Sequence, residues 1–446
     1  MDTLDRAVAD AVLGMDTLWG GDVMNPSGTG RFIADSWFSD HPLPSAYTHE
    51  AAAELRASGG VPAKEPNREA IDRYLRAVDV RRAIDVVAEE AKRLGGLRGG
   101  YLASLADCFA VMWDLAQELL RRGPAVPYER CVLATTGREP EPSDPRFKRE
   151  RLAELLDRQG YGSDLGDLGR AADAWRDERR VPAKSIPALA SAVIAELDAL
   201  TVRNVVRHLP EPLSGIPRAN ITFLPIKDAW FSGSMNYLGR ARKADGSPHY
   251  EATYEINASL TLSVPEFQQL VSHEVVPGHV TTFAFLQALY VHGQVGFEAS
   301  VLTMNTRAAT LFEGIANNAV LMAYGVTDVS DLPDEDLQIG VLLALLQDDA
   351  KNQSSYLTWG EGKPQAEVAS TLRRDFLVTE ERAGKLSGAW GRHPLLGRMY
   401  LPAYRAGTQK VAALRREHPP EKLLPVLFGC RGLVDVVTID QALGAS

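Results

Sequence analysis

Helical periodicity dominates the chain. Apolar residues recur at three- and four-residue steps over 67–94, 102–122, 184–209, 297–323 and 334–350, so each stretch is expected to form helix with one buried face. These stretches are rich in Ala, Leu, Arg and Glu, which favour helix. The pattern changes after Leu209–Arg218 (LPEPLSGIPR). Ile221–Ile226 (ITFLPI) and Tyr250–Leu262 (YEATYEINASLTL) carry the branched and aromatic residues of strands, with Gly233, Gly239, Gly246 and Pro248 punctuating the interval. Residues 219–262 read as a small sheet or hairpin in an otherwise helical protein. Ser263 and Glu266 form a capping-box pattern with Pro265 in the first turn, so a helix is expected to begin there. Gly137–Arg149 (GREPEPSDPRFKR) reads as an exposed loop, and the Gly-rich run Gly95–Gly100 as a break between helices. The working boundary lies near residue 215. An N-terminal helical region, 1–215, precedes a strand-plus-helix region, 216–446, and the two are able to form one continuous fold.

The helix opened by Ser263 runs into His273-Glu274-Val275-Val276-Pro277-Gly278-His279. On a regular helix, positions six apart diverge by about 240° around the axis. The two imidazoles would then face different directions. Pro277 removes a helical donor and Gly278 admits unusual backbone angles. Together they are expected to break the helix and swing His279 back toward His273. Glu274, directly after the first histidine, would serve as general base toward an attacking water whose acidity a zinc ion raises. A third ligand is required. Glu313 is the best candidate, because a carboxylate is out of place in the apolar segment Leu311–Ala316 unless a partner or a metal holds it. Two histidines, one glutamate and one open position form a known catalytic zinc geometry.

At these residues the chain resembles domain-of-unknown-function family 885, whose members carry His-Glu-x-x-Pro-Gly-His and a later Glu-Gly-Trp-Ala. That family is similar to glutamate-zincin metallopeptidases, including elongated helical carboxypeptidases with a deep groove. The resemblance, strongest over 219–410, implies a mainly α zincin-like fold around a central groove, with a small antiparallel β-sheet beside the metal site. It also implies zinc or another divalent metal and peptidase-like hydrolysis. By matching position, His273, His279 and Glu313 are the implied metal ligands and Glu274 the implied base. The chain departs from the family at Val280-Thr281-Thr282, where members have a further His and then Gln. It departs at Ile315 and Asn318, where both aromatics of Glu-Gly-Trp-Ala-x-Tyr are gone, and across 345–359 (LLQDDAKNQSSYLTW). Tyr404-Arg405-Ala406-Gly407 retains only the end of a family Tyr-x-x-Gly segment. These changes favour an unusual substrate over an ordinary peptide.

Several other residues have both a chemical and a structural reading. Tyr404 would donate a hydrogen bond to a developing oxyanion, or pack within a helix beginning near Leu395. Arg392 and His393 would bind a carboxylate of the substrate, or cap a loop. Ser232–Tyr237, Asn257 and Ala258 would pair with an extended substrate along a strand edge, or form a plain hairpin. His249 and His292 read as solvated or loop residues. No Gly-x-Ser-x-Gly elbow supports a serine nucleophile.

Composition narrows the partners. The 446-residue chain has a formal net charge of -10 and no long basic run, which disfavours nucleic acid and anionic membrane surfaces. Cys108, Cys131 and Cys430 are widely spaced and odd in number, as expected in a reducing compartment. The N-terminal MDTLDRAVADAVLG lacks a signal pattern, and no apolar run nears the roughly 18 residues of a membrane span. A cytoplasmic protein acting on a small-molecule or peptide substrate is expected. The leading expectation is a zinc hydrolase of an amide or peptide bond. The alternatives are a metal-dependent tailoring enzyme (elimination, cyclisation or non-peptide hydrolysis) and a non-catalytic, peptidase-derived binding protein.

Overall fold

A computed structural model describes residues 2–25, 32–211, 213–226, 233–257 and 262–444, with only the backbone of 183, 225 and 257. The fold is mainly α. The helices that matter to the site are α1 (Thr3–Leu18), α2 (Arg68–Ala77), α3 (Val80–Leu94), α4 (Gly96–Leu119), α5 (Ile186–Asn204), α6 (Val264–Glu274), α7 (His279–Val291), α8 (Arg307–Asn317), α9 (Ala319–Tyr324), α10 (Glu335–Ser355), α11 (Glu380–Ser387) and α12 (Leu401–Glu417). Among the described residues, no helix is long and apolar enough to cross a membrane. The break expected over Gly95–Gly100 is confined to its start: Gly95 separates α3 from α4, and residues 96–100 already belong to α4. Gly95 and Gly96, the cap and first residue of α4, both take positive φ, 61° and 57°. Residues 297–323 do not form one helix. Val301–Thr303 is strand β5, and α8 starts only at Arg307, where the Thr306 side chain accepts from Ala309 N. The β-branched residues and this cap override the helical spacing.

Five short strands form two sheets. β1 (Ala34–Trp37) pairs antiparallel with β5, with a register irregularity between Ala34 and Ser36. β2 (Ile221–Ile226), β3 (Gly233–Tyr237) and β4 (Ala252–Asn257) lie in the order β2-β4-β3. The small sheet expected over 219–262 is therefore present. It is antiparallel between β3 and β4, and parallel between β2 and β4. Along β4, Ala252, Tyr254 and Ile256 alternate inward, and they pack with Phe267 and Val271 of α6. That cluster also takes Ile186 and Val193 of α5 and Phe428, so core residues from both sides of position 215 meet in it.

Two close backbone approaches set the geometry of the site. A Cβ on Gly278 would lie 1.8 Å from His273 O, so only glycine lets α7 fold back against the end of α6. A Cβ on Gly314 of α8 would lie 2.3 Å from Gly407 O of α12, and one on Gly407 would lie 1.9 Å from Thr310 O. α8 and α12 therefore cross backbone to backbone. The start of α6 is tied down separately. Ser263 and Glu266 make the expected reciprocal cap, and Glu266 also accepts from buried Arg176 at 2.9 Å.

Gly407→Ala is expected to force α8 and α12 apart at a cost of about 1–3 kcal/mol, read as a lowered urea midpoint with unchanged slope. An unaltered midpoint would mean that the crossing has room to spare.

Asp16 of α1 generates a second expectation. Its Oδ1 accepts from Ile33 N and Ala34 N, both at 2.9 Å. Burial pushes its carboxyl up to about 7, against the opposing effect of those backbone donors. Between the ordinary carboxylate range and pH 7, the folded chain holds a proton that the unfolded chain has released. Stability therefore falls as pH rises through that window. Asp16→Asn keeps the acceptor and removes the proton. Thermal unfolding should decline less from pH 5 to pH 8 in this variant than in the parent, and parallel profiles would assign the decline elsewhere.

Candidate metal centre

The helix break falls where Pro277 and Gly278 require it. α6 ends at Glu274 and α7 begins at His279. The carbonyls left over at the break are satisfied locally. Thr281 N and Oγ1 both donate to Val275 O at 3.1 Å, and Thr282 N and Oγ1 both donate to Gly278 O at 2.9 Å. The two imidazoles come together as the spacing argument required. Their ring centroids are 4.8 Å apart and their planes perpendicular.

Glu313 reaches this pair from α8. Its Oε2 lies 3.5 Å from His273 Nε2 and its Oε1 3.8 Å from His279 Nε2. Glu274 also approaches, with Oε1 4.0 Å from His273 Nε2. Donor atoms of His273, Glu274 and His279 all lie within 4.8 Å of one another. Of the two carboxylates, Glu313 is the better placed as third ligand, because it faces both Nε2 atoms. Glu274 is left beside the pair, where a base would stand.

The donor chemistry fits a divalent cation. Burial, the neighbouring His279 and Lys351 hold His273 well below its usual value, and burial with Lys351 brings His279 down to about 4. Both rings are thus neutral, the ligating form, near neutral pH. His273 Nδ1 is 2.7 Å from Asn317 Oδ1. That amide oxygen accepts only if Nδ1 carries the proton, which leaves the Nε2 lone pair facing Glu313 and His279. Asn317 is itself held by donating to Thr408 Oγ1 at 2.8 Å. His279 lacks such a partner at Nδ1 among the described residues, and its ring instead stacks on Phe283 at 5.6 Å. Glu313 is 4% exposed, and its Oε2 has no hydrogen-bond partner among the described residues. A buried carboxylate oxygen left unsatisfied is costly, and a cation between it and the imidazoles would satisfy it.

The residues just beyond the cluster were only partly foreseen. Tyr400 donates to Glu313 Oε1 at 2.5 Å. It ends a π-helical turn, Leu396–Tyr400, two residues before Pro402 in the first turn of α12. Pro402 has no N–H for the preceding turn, which suits the widened geometry. Sequence reading singled out Tyr404 and missed Tyr400, although a four-residue spacing puts both on one helix face. Their rings are 5.1 Å apart. Burial and the Glu313 charge hold both phenols well above the ordinary value, so they are proton donors. Lys351 of α10 sits 3.1 Å from the centre of the Tyr404 ring and pairs with Asp348 at 3.1 Å. The segment 345–359, read as degenerate, therefore supplies charged groups to the site.

Two cavities flank the cluster. The larger, about 410 Å³, is lined by Asn317, Asp348, Lys351, Arg382 and Lys385 among others. The smaller, about 200 Å³, has His279 and Glu313 in its wall. His273, Glu274, Tyr400, Tyr404, Gly233 and Ser234 line both. The edge strand β3 thus runs beside the cluster. Ser232 and Ala258 lie outside the described residues. The backbone of Asn257 pairs with Ile226 in the sheet.

The remaining candidates sit elsewhere. Arg392 donates to Lys363 O at 3.0 Å, and His393 Nδ1 accepts from Leu395 N and Leu396 N, both at 3.2 Å. Neither lines either of these two cavities, and what both do there is fasten a loop. His249 pairs with Glu251 at 2.9 Å, and His292 Nδ1 lies 2.7 Å from Ala288 O. Most of the positions that depart from the family pattern also avoid the cavities. Ile315 is fully buried in the core. Asn318 donates to Gly314 O at 2.9 Å and accepts from Arg415 at 3.1 Å.

Removing the Nδ1 acceptor from His273 should loosen the centre. Asn317→Ala is expected to weaken zinc uptake about ten- to a hundredfold in chelator competition, with the fold intact by circular dichroism. Unchanged zinc affinity would leave Asn317 a packing residue.

No protein-family profile and no curated protein matches the chain. Among solved structures, it resembles one titled "putative lipoprotein" from Colwellia psychrerythraea, with a TM-score of 0.55 at 15% identity over 81% of this chain. The match spans 66% of that protein's length. A second, titled a "putative lipoprotein of unknown function" from Shewanella oneidensis, has a TM-score of 0.49 at 14% identity, over 90% of this chain and 79% of the other. At such identity, the first likeness is one of fold, an α-rich architecture shared across most of the chain.

Proposed function

We propose that this protein is a metal-dependent hydrolase that cleaves an amide or peptide bond in a small substrate, and that it is a divergent relative of family 885. The observation that carries the reading is the convergence of His273, His279 and Glu313 from three helices, with Glu274 beside them. The buried Glu313 Oε2, unpartnered among the described residues, faces His273. These three side chains would hold zinc or a similar cation, which when bound supplies Lewis acidity to a substrate carbonyl. Glu274 takes the proton from the attacking water and later returns it to the leaving nitrogen. Tyr404, protonated and exposed to both cavities, donates to the oxygen on which charge develops. Tyr400 keeps Glu313 aimed at the imidazoles through its hydrogen bond. The cavities support a small substrate, because the larger falls within the usual small-molecule range of roughly 300–1,000 Å³.

Metal analysis joined to a hydrolysis screen tests this. Purified protein should carry or take up close to one zinc. Glu274→Gln should keep the metal and lose turnover by a thousandfold or more, as expected for a missing base on this chemistry. His273→Ala should lose both metal and turnover. Full activity in both variants would remove the mechanism.

A further inference from the structure

The two cavities share the same reactive groups in their walls, yet the rest of each wall differs. The larger contains three ion pairs: Arg176–Glu266 at 2.9 Å, Lys351–Asp348 at 3.1 Å and Lys385–Glu381 at 2.7 Å. Beside the reactive groups, the smaller is lined by Met235, Phe283, Leu302, Ala309 and Phe312. Phe283 and Phe312 meet edge to face at 5.9 Å, so part of its wall is aromatic. Its acidic lining residues are Asp35, Glu274 and Glu313, and no Lys or Arg is among the described residues that line it. Asp35 enters from the register irregularity of β1 between Ala34 and Ser36, the kind of bulge that re-aims a side chain.

We infer that the smaller cavity is the side-group pocket of this site. It accepts one uncharged apolar group, benzyl or isobutyl in size, carried next to the reacting bond, and refuses an acidic one. Volume supports the size: an apolar protein cavity of about 150 Å³ binds benzene, and this one holds about 200 Å³. A carboxylate placed against Phe283 and Phe312 would be buried with no Lys or Arg among the described lining residues to pair it, which is costly. The polar remainder of the substrate extends into the larger cavity. The substrate class is therefore a short amide, of roughly dipeptide size, bearing an aromatic or branched aliphatic group on one side of the bond. This inference deepens the hydrolase reading and rests on it only for where the reacting bond lies.

The test uses the full chain and hydroxamic acids that differ only in side group, titrated calorimetrically against zinc-loaded and metal-free protein. 3-Phenylpropanohydroxamate should bind about ten- to a hundredfold tighter than acetohydroxamate, the range expected for burying one such group. Succinic monohydroxamate should bind more weakly than either. Ala309→Leu, which fills the pocket, should remove the phenyl preference and leave acetohydroxamate affinity within about twofold of the parent. Phe312→Ala, which enlarges it, should shift the preference toward a naphthyl analogue. Failure to take up zinc, with the phenyl preference intact in metal-free protein, would sink the hydrolase reading and leave the pocket standing. Equal affinities, no binding of any probe in either form, or tighter binding of a 4-aminobutano analogue than of the phenyl compound would overturn the pocket.

Discussion

The contact between Gly314 and Gly407 is the constraint on which the site depends. Neither residue needs a positive φ; each is glycine because a backbone carbonyl of the other helix occupies the place of its Cβ. That crossing holds α8 and α12 close enough for Tyr400, just before α12, to reach Glu313 on α8. It also gives a physical meaning to two short patterns far apart in the chain. The glycine after Glu313 and the glycine three residues after Tyr404 face one another, so the carboxylate and the tyrosines are presented from a single junction.

Against that junction stands the broken helix. Gly278 lets α7 fold back under His273, and hydroxyls of Thr281 and Thr282 take up the carbonyls that the break exposes. The result places two imidazoles and a carboxylate together with little of their surface exposed. Desolvation then decides their charge states. It keeps both histidines neutral, and it raises the Glu313 carboxyl to about 7 despite Lys351 and Tyr400. Such a cluster is expensive to leave without a cation, which is the physical argument for a metal centre. The positions that differ from the family pattern mostly serve this framework. Ile315 fills the core, Asn318 ties α12 to α8, and the two threonines cap the break. Of the changed stretches, 345–359 does reach the larger cavity through Asp348 and Lys351, and Asn317, between Ile315 and Asn318, lines it too and orients His273.

Much of this was legible from local pattern. The capping box at Ser263, the break at Pro277–Gly278, the convergence of His273 with His279 and the arrival of Glu313 all follow from residue types and spacing. The failures have physical causes. The stretch 297–323 has helical spacing, but Val301–Thr303 finds a strand partner in β1, and a partner that is distant in sequence overrides local propensity. Arg392 and His393 have the chemistry of substrate ligands. They lie on a loop whose own backbone groups claim them. Tyr400 and Lys351 were passed over because neither is unusual in its own segment.

The sequence by itself determined the mainly helical architecture, the small sheet and the identity of the clustered histidines and glutamates. Helical period, caps and breakers act over a few residues, and a carboxylate inside an apolar helix announces itself. Only the tertiary structure decided the environment of that cluster. The pairing of β2 with β4, the glycine crossing, the hydroxyl of Tyr400 on Glu313, the Asn317 contact and the two unlike cavities all join residues tens to hundreds of positions apart. Such contacts leave no periodic trace along the chain, because what selects them is shape and desolvation at the meeting point rather than the propensity of either segment.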